Sequence, residues 1–285
     1  MKKLKTIVRY IISIILTIVL IAWIIINIAS STILDEQYVL DKFEETDYYS
    51  KIYTMAESNF ENYIHQSGLD EEVLQGLITE EQLENDTKKI ISNIYNGTNE
   101  TIDTEQLRTD LTNKIEQSLT NRAITAAQRR SINEFVDKIV EEYTSTISHY
   151  SYEEQINNAY TKIVKIIDVA QKAILICAGV SIILLILLSI KRFYKFLVHI
   201  GIALTSSGLI LIIVNSFINA KVKIQNIILL NDAISLIIRE VLQEIFDMIK
   251  NYGILVLVVG LLMIIIPNVI HYIIRYKNEK NTELS

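Results

Sequence analysis

The chain has 285 residues, half of them hydrophobic, with 27 basic and 33 acidic side chains, a net charge of −6, one cysteine and one proline. A lone cysteine excludes an intramolecular disulfide, and the acidic balance argues against nucleic acid as a partner. One proline and eight glycines supply few of the residues that build turns and strand edges, so the long runs of Ile, Leu, Glu, Lys, Gln and Asn predict an all-α protein.

Residues 1–6 are a basic tip, with Lys2, Lys3 and Lys5. They precede an apolar run at 7–29 that, at helical rise, is long enough to cross the hydrocarbon core of a membrane. A basic start before an apolar run is also the pattern of a cleaved signal peptide, and Ala29-Ser30-Ser31 is a weak cleavage candidate. Signal cores span about 7 to 15 residues, so the longer run favours an uncleaved signal anchor as transmembrane helix 1.

Residues 30–172 are expected to be a helical domain outside the membrane. Tyr49, Tyr53, Ala56, Phe60 and Tyr63 recur at helical spacing, which predicts a continuation of the first span that ends at Ser67-Gly68. Thr79-Glu80-Glu81-Gln82 reads as a capping box, so a helix should run from Glu80 to Tyr95 and stop at Asn96-Gly97. Asp103-Thr104-Glu105-Gln106 starts another with Asp103 as its cap, carrying Leu107, Leu111, Ile115 and Leu119 on one face. A third should begin near Ser131 with Phe135, Ile139, Tyr143 and Ile147 aligned. Ile156, Tyr160, Ile163 and Ile167 then lead without a breaker into transmembrane helix 2 at 173–190.

A short basic loop at 191–195 joins this span to transmembrane helix 3 at 196–218. Residues 219–251 read as an amphipathic hairpin, with Ile224, Ile227 and Ile228 rising, a break at Asn231-Asp232, and Ile234, Ile238, Val241 and Ile245 descending into transmembrane helix 4 at 252–274. A helix lying in the membrane interface is the alternative for this segment. Residues 275–285 form a basic tail. The predicted fold is therefore an integral membrane protein with four transmembrane helices, several extending into an extracytoplasmic helical bundle.

Basic residues near span ends stay cytoplasmic. The tip, the 191–195 loop and the tail hold ten basic residues (Lys2, Lys3, Lys5, Arg9, Lys191, Arg192, Lys195, Arg275, Lys277 and Lys280) against Glu279 and Glu283, a net +8. The other side keeps 17 basic and 31 acidic residues, a net −14, and the two sides together make the chain's −6. Both termini are thus expected in the cytoplasm of a cell membrane, with the acidic domain outside.

Candidate chemistry is sparse. His199 and His271 sit near the cytoplasmic ends of spans three and four, and Asn268 follows Pro267 in the fourth; polar groups inside a span are functional candidates by default. An interfacial or structural role is the plainer reading for both histidines, and a tolerated kink for Pro267-Asn268. Ala173, Cys177 and Ser181 recur every fourth residue in span two, as do Gly201 and Thr205, and Ala203 and Ser207, in span three, spacings that let helices approach closely. His65 and His149 lie in no metal-ligand spacing, and no nucleophile elbow, P-loop or dinucleotide fingerprint occurs. No cofactor or metal is expected. The partners implied are the lipid bilayer and an envelope protein or a second copy of the chain. The function expected is binding, sensing or scaffolding at the cell envelope, with a transporter or channel component, or a membrane-embedded enzyme, as alternatives.

Overall fold

The computed structural model describes residues 2–98, 100–119, 124–147, 153–190, 192–222, 224 and 232–283, and no strand occurs among them. The described helices are α1 (Lys2–Ser30), α2 (Glu36–Glu45), α3 (Tyr48–Ser67), α4 (Glu80–Asn96), α5 (Glu105–Ser118), α6 (Ala126–Ile147), α7 (Glu153–Ser189), α8 (Phe193–Lys221) and α9 (Asp232–Glu283), with a 3₁₀ turn at Glu71–Val73. They fall into two compact units. An apolar unit comprises Met1–Ile33, Val164–Ile227 and Arg239–Ser285, and a polar unit comprises Leu34–Ile163 and Ile228–Ile238.

Among the described residues four helices, α1, α7, α8 and α9, are long and apolar enough to cross a membrane. In the apolar unit Leu175, Ile183 and Leu187 of α7, Ile213 and Phe217 of α8, and Leu255, Leu262 and Ile266 of α9 are exposed. A continuous apolar surface of this kind needs hydrocarbon around it rather than water. Helices α1 and α8 run parallel: Ser13 Oγ donates to the His199 carbonyl at 3.2 Å, and Thr17 Oγ1 donates to the Ala203 carbonyl at 3.3 Å, the same step on both helices. Ile12, Leu16, Leu185, Phe196 and Ala203 pack at one level, and Ile24, Ile28 and Leu211 at another.

Helices α8 and α9 run antiparallel at backbone contact. A Cβ on Gly208 would meet the Gly253 carbonyl oxygen at 2.5 Å, and one on Gly260 would meet the Thr205 nitrogen at 2.5 Å. The Gly201–Gly260 and Gly208–Gly253 pairs, each set seven residues apart, bring two backbones together where hydrophobic attraction between helices is lost in lipid and packing must replace it. Helix α9 continues through Pro267, and Asn268 Nδ2 bonds the Ile264 carbonyl at 2.8 Å beside it.

The polar unit is built by α2 to α6. Helix α4 starts and stops as its sequence predicts: the Thr79 side chain accepts the Gln82 N–H at 3.1 Å, and Gly97 closes it at φ 66°. Helix α5 is capped differently. Thr104 holds the cap position without a side-chain bond, while Asp103 Oδ1 accepts the Glu105 N–H at 3.0 Å from one residue earlier. Helix α6 begins five residues before Ser131, because Thr125 and Gln128 form a reciprocal box at 3.3 Å and 3.0 Å.

The first span does not continue as one helix into α3. Asp35 caps a new helix by accepting the Tyr38 N–H at 3.2 Å, and Asp47, in the left-handed region at φ 52°, separates α2 from α3. The buried stripe of α3 is Tyr48, Tyr49, Ile52, Ala56, Phe60 and Ile64. Tyr53 and Tyr63 flank it half-buried, because their hydroxyls reach Glu57 at 2.5 Å and Glu142 at 3.2 Å. Helices α7 and α9 do run on beyond the length a span requires, at 37 and 52 residues. The rising arm of the expected 219–251 hairpin and its break at Asn231 lie largely outside the described residues, whereas Ile234, Ile238, Val241 and Ile245 belong to α9.

Candidate functional site

One end of the apolar unit brings several polar side chains together. Arg9, two turns into α1, is only 8 % exposed and donates through Nη2 to the Leu188 carbonyl in the last turn of α7. Ser13 sits one turn further on and is shared between the Arg9 carbonyl at 3.0 Å and the His199 carbonyl at 3.2 Å. The Tyr10 ring lies 5.2 Å from the His199 ring, and Tyr194 stacks on His271 at 4.2 Å with the planes 12° apart. These contacts place the start of α1, the end of α7, the start of α8 and the C-terminal part of α9 at the same end.

His199 is 6 % exposed. Its Nδ1 lies 2.6 Å from the Lys195 carbonyl, so that nitrogen carries the proton and donates, and Nε2 is buried without a partner. His271 and Asn268 are exposed. The two histidines take different aromatic partners, and no group of three or more His, Cys, Asp or Glu among the described residues is placed to hold a metal ion. Of the small residues, Gly201 and Thr205 lie in the α8–α9 seam and Ser181 is buried, while Ala173 and Cys177 are exposed. Gly208, Gly253 and Gly260, not singled out in sequence, complete the seam. Arg9, Ser13 and Thr17 carried a signal that reading by charge alone passes over: three polar residues at i, i+4 and i+8 in an otherwise apolar helix. Ser13 and Thr17 spend their hydroxyls on backbone carbonyls, which fixes the α1–α8 register rather than lining a path for a solute.

Two concavities lie among the described residues of the polar unit. One, of about 240 Å³, has Glu57, Glu61, Glu71 and Glu72 around Phe60, Leu74 and Ile78. The other, of about 500 Å³, is an open groove of Leu69, Ile115, Leu119, Ile132 and Phe135 edged by Glu134 and Lys138. Beneath the surface Tyr143, 0 % exposed, donates to Asp86 Oδ2 at 2.5 Å. Burial raises the Asp86 carboxyl above its ordinary value, against the lowering effect of the Tyr143 hydrogen bond and of Lys89. Burial first, then that same bond, raises the Tyr143 phenol, so it stays protonated and donating. Glu142 accepts from Asn59 at 2.7 Å and from Tyr63 at 3.2 Å, tying α6 to α3. Each of these acids serves packing between helices, and none is set beside a nucleophile. Comparison with family models, curated proteins and solved structures gave no match.

Proposed function

We propose that the protein is a multi-pass membrane protein held by four helices, with residues 1–6, 191–195 and 275–285 in the cytoplasm and an acidic helical domain outside that binds a partner, senses or scaffolds at the cell envelope. The observation that supports this best is the shared end of the membrane helices. The contacts of Arg9 with Leu188, Tyr10 with His199, and Tyr194 with His271 put the basic flanks of all four helices on one side, the distribution that keeps such flanks cytoplasmic. The acidic residues lie mainly in the polar unit, whose two concavities present carboxylates and apolar side chains, a surface fitted to recognition rather than to a reaction.

The test is photocrosslinking in intact cells from Glu61 and Phe135, one in each concavity, followed by mass spectrometry of what is attached. A discrete envelope protein or peptidic ligand captured at one position and lost from a control at exposed Glu105 is the expected result. Recovery of lipid and self alone, from both positions and under several growth conditions, removes heteromeric binding.

A further inference from the structure

We propose that the end of the apolar unit where α1 begins, α7 gives way to α8 and α9 runs out is a cationic face for an anionic lipid surface, gathering negatively charged phospholipids in preference to zwitterionic ones. Residues 2–13, 188–202 and 264–277 come together there through the Arg9–Leu188, Tyr10–His199 and Tyr194–His271 contacts. These three segments hold nine basic side chains, Lys2, Lys3, Lys5, Arg9, Lys191, Arg192, Lys195, Arg275 and Lys277, and no acidic one; Glu279 and Glu283 come only later in the chain.

Two observations suit this charge to lipid. The first is that it is turned outward and unspent. Lys5, Arg192 and Lys277 are exposed, and no ion pair among the described residues includes them or Lys195. Like charges gathered at one end repel one another, and an anionic surface relieves that repulsion. The second is that exposed rings stand among the cations. Phe193 follows Arg192 directly and is 61 % exposed, and Tyr272 and Tyr276, on either side of Arg275, are 70 % and 61 % exposed. Aromatic side chains settle where hydrocarbon gives way to headgroups, and Lys and Arg lay their stems along apolar surface while the charge reaches outward. Lys5 lies about one helical turn before Arg9, and Lys277 less than two turns after His271. The cations therefore fall at headgroup depth, where a soluble partner would have to displace lipid to reach them. The attraction is a sum over many exposed charges and requires no pocket: each Lys or Arg near an anionic surface adds roughly fivefold to the preference at low salt, and the effect fades within a Debye length. It rests on the four helices spanning a bilayer and not on which end is cytoplasmic, so its failure leaves the proposed topology and partner binding untouched.

The test reconstitutes the full-length protein in vesicles of equal parts phosphatidylcholine and phosphatidylglycerol, extracts it in polymer-bounded nanodiscs that keep its lipid shell, and quantifies that shell by mass spectrometry. The expected result is enrichment of phosphatidylglycerol in the shell over the vesicle by about two- to fivefold, weakened when extraction is repeated at high salt. Lys5→Gln, Arg192→Gln and Lys277→Gln should each lower the enrichment in part, and the triple variant should lower it by more than half. The same number of charges removed from exposed positions of α6, in the Arg129→Gln, Arg130→Gln, Lys138→Gln variant, should leave it unchanged. A shell of the same composition as the vesicle overturns the proposal, as does an equal loss in the α6 variant. Loss of the whole enrichment on a single substitution also overturns it, because that outcome marks one discrete site in place of a charged face.

Discussion

Tyr143 and Asp86 illustrate how single residues trade charge for order in the polar unit. The phenol is wholly buried, and Asp86 is its hydrogen-bond acceptor. Because the Asp86 carboxyl titrates above its ordinary 3.8 in the folded chain, folding takes up protons there. The stability this contributes is complete below about pH 3.8 and is lost as pH rises through the raised folded-state value. Asp86→Asn keeps an acceptor and removes the charge, so its stability relative to the natural chain should improve as pH rises across that window and then level off. Tyr143→Phe should cost about 1 kcal/mol, the net worth of a typical buried hydrogen bond. Both are read from denaturant unfolding of the full-length protein followed by circular dichroism between acid and neutral pH. A pH-independent difference for Asp86→Asn would show that Asp86 titrates like a carboxylate in water. Nothing in the sequence set Asp86 apart from the other acids, because its distinction is the depth at which α4 meets α6. Arg9 was legible as a charge but not as a buried one, since burial depends on where α7 ends.

At the scale of elements, the glycines of α8 and α9 differ sharply from the glycine of α7 in what surrounds them. Gly208 has the Gly253 carbonyl at 2.5 Å and the Leu257 nitrogen at 2.6 Å from where a Cβ would stand, whereas Gly179 of α7 has nothing within 4 Å. Gly208→Ala should force α8 and α9 apart and destabilise the membrane helices by roughly 1–3 kcal/mol, the usual cost of overpacking. Gly179→Ala should be neutral, or stabilising by up to about 1 kcal/mol, because it replaces glycine inside an open helix face. Thermal unfolding of the purified protein in one detergent compares the two directly, and equal effects would mean that the seam is not at backbone contact. Helix ends were the most legible elements. Thr79 and Gly97 act where a capping box and an αL glycine predict, since those signals complete their hydrogen bonds within a few residues of the chain. The Thr125–Gln128 box carried the same local signal and moves the start of α6 five residues earlier than its apolar face suggests. The α3 stripe was legible in period but not in phase, because hydroxyl-bearing Tyr53 and Tyr63 reach acids at its edges.

For the whole molecule, the orientation proposed from charge predicts a labelling pattern. In a Cys177→Ser background, Glu72→Cys should react with a membrane-impermeant maleimide on intact cells, and Lys277→Cys only after permeabilisation. The reverse pattern would invert the proposed topology and put the basic end outside. The sequence by itself determined the helical class and the four membrane-length apolar segments, because hydropathy and periodicity are properties of contiguous residues. Only the tertiary structure decided that α1 stops at Ser30, that α1 lies parallel to α8 through Ser13 and Thr17, that glycines seven residues apart seal α8 to α9, and that Arg9 is buried against the end of α7. The last three of these join residues far apart in the chain, and which helical faces meet is set by mutual packing rather than by either helix alone.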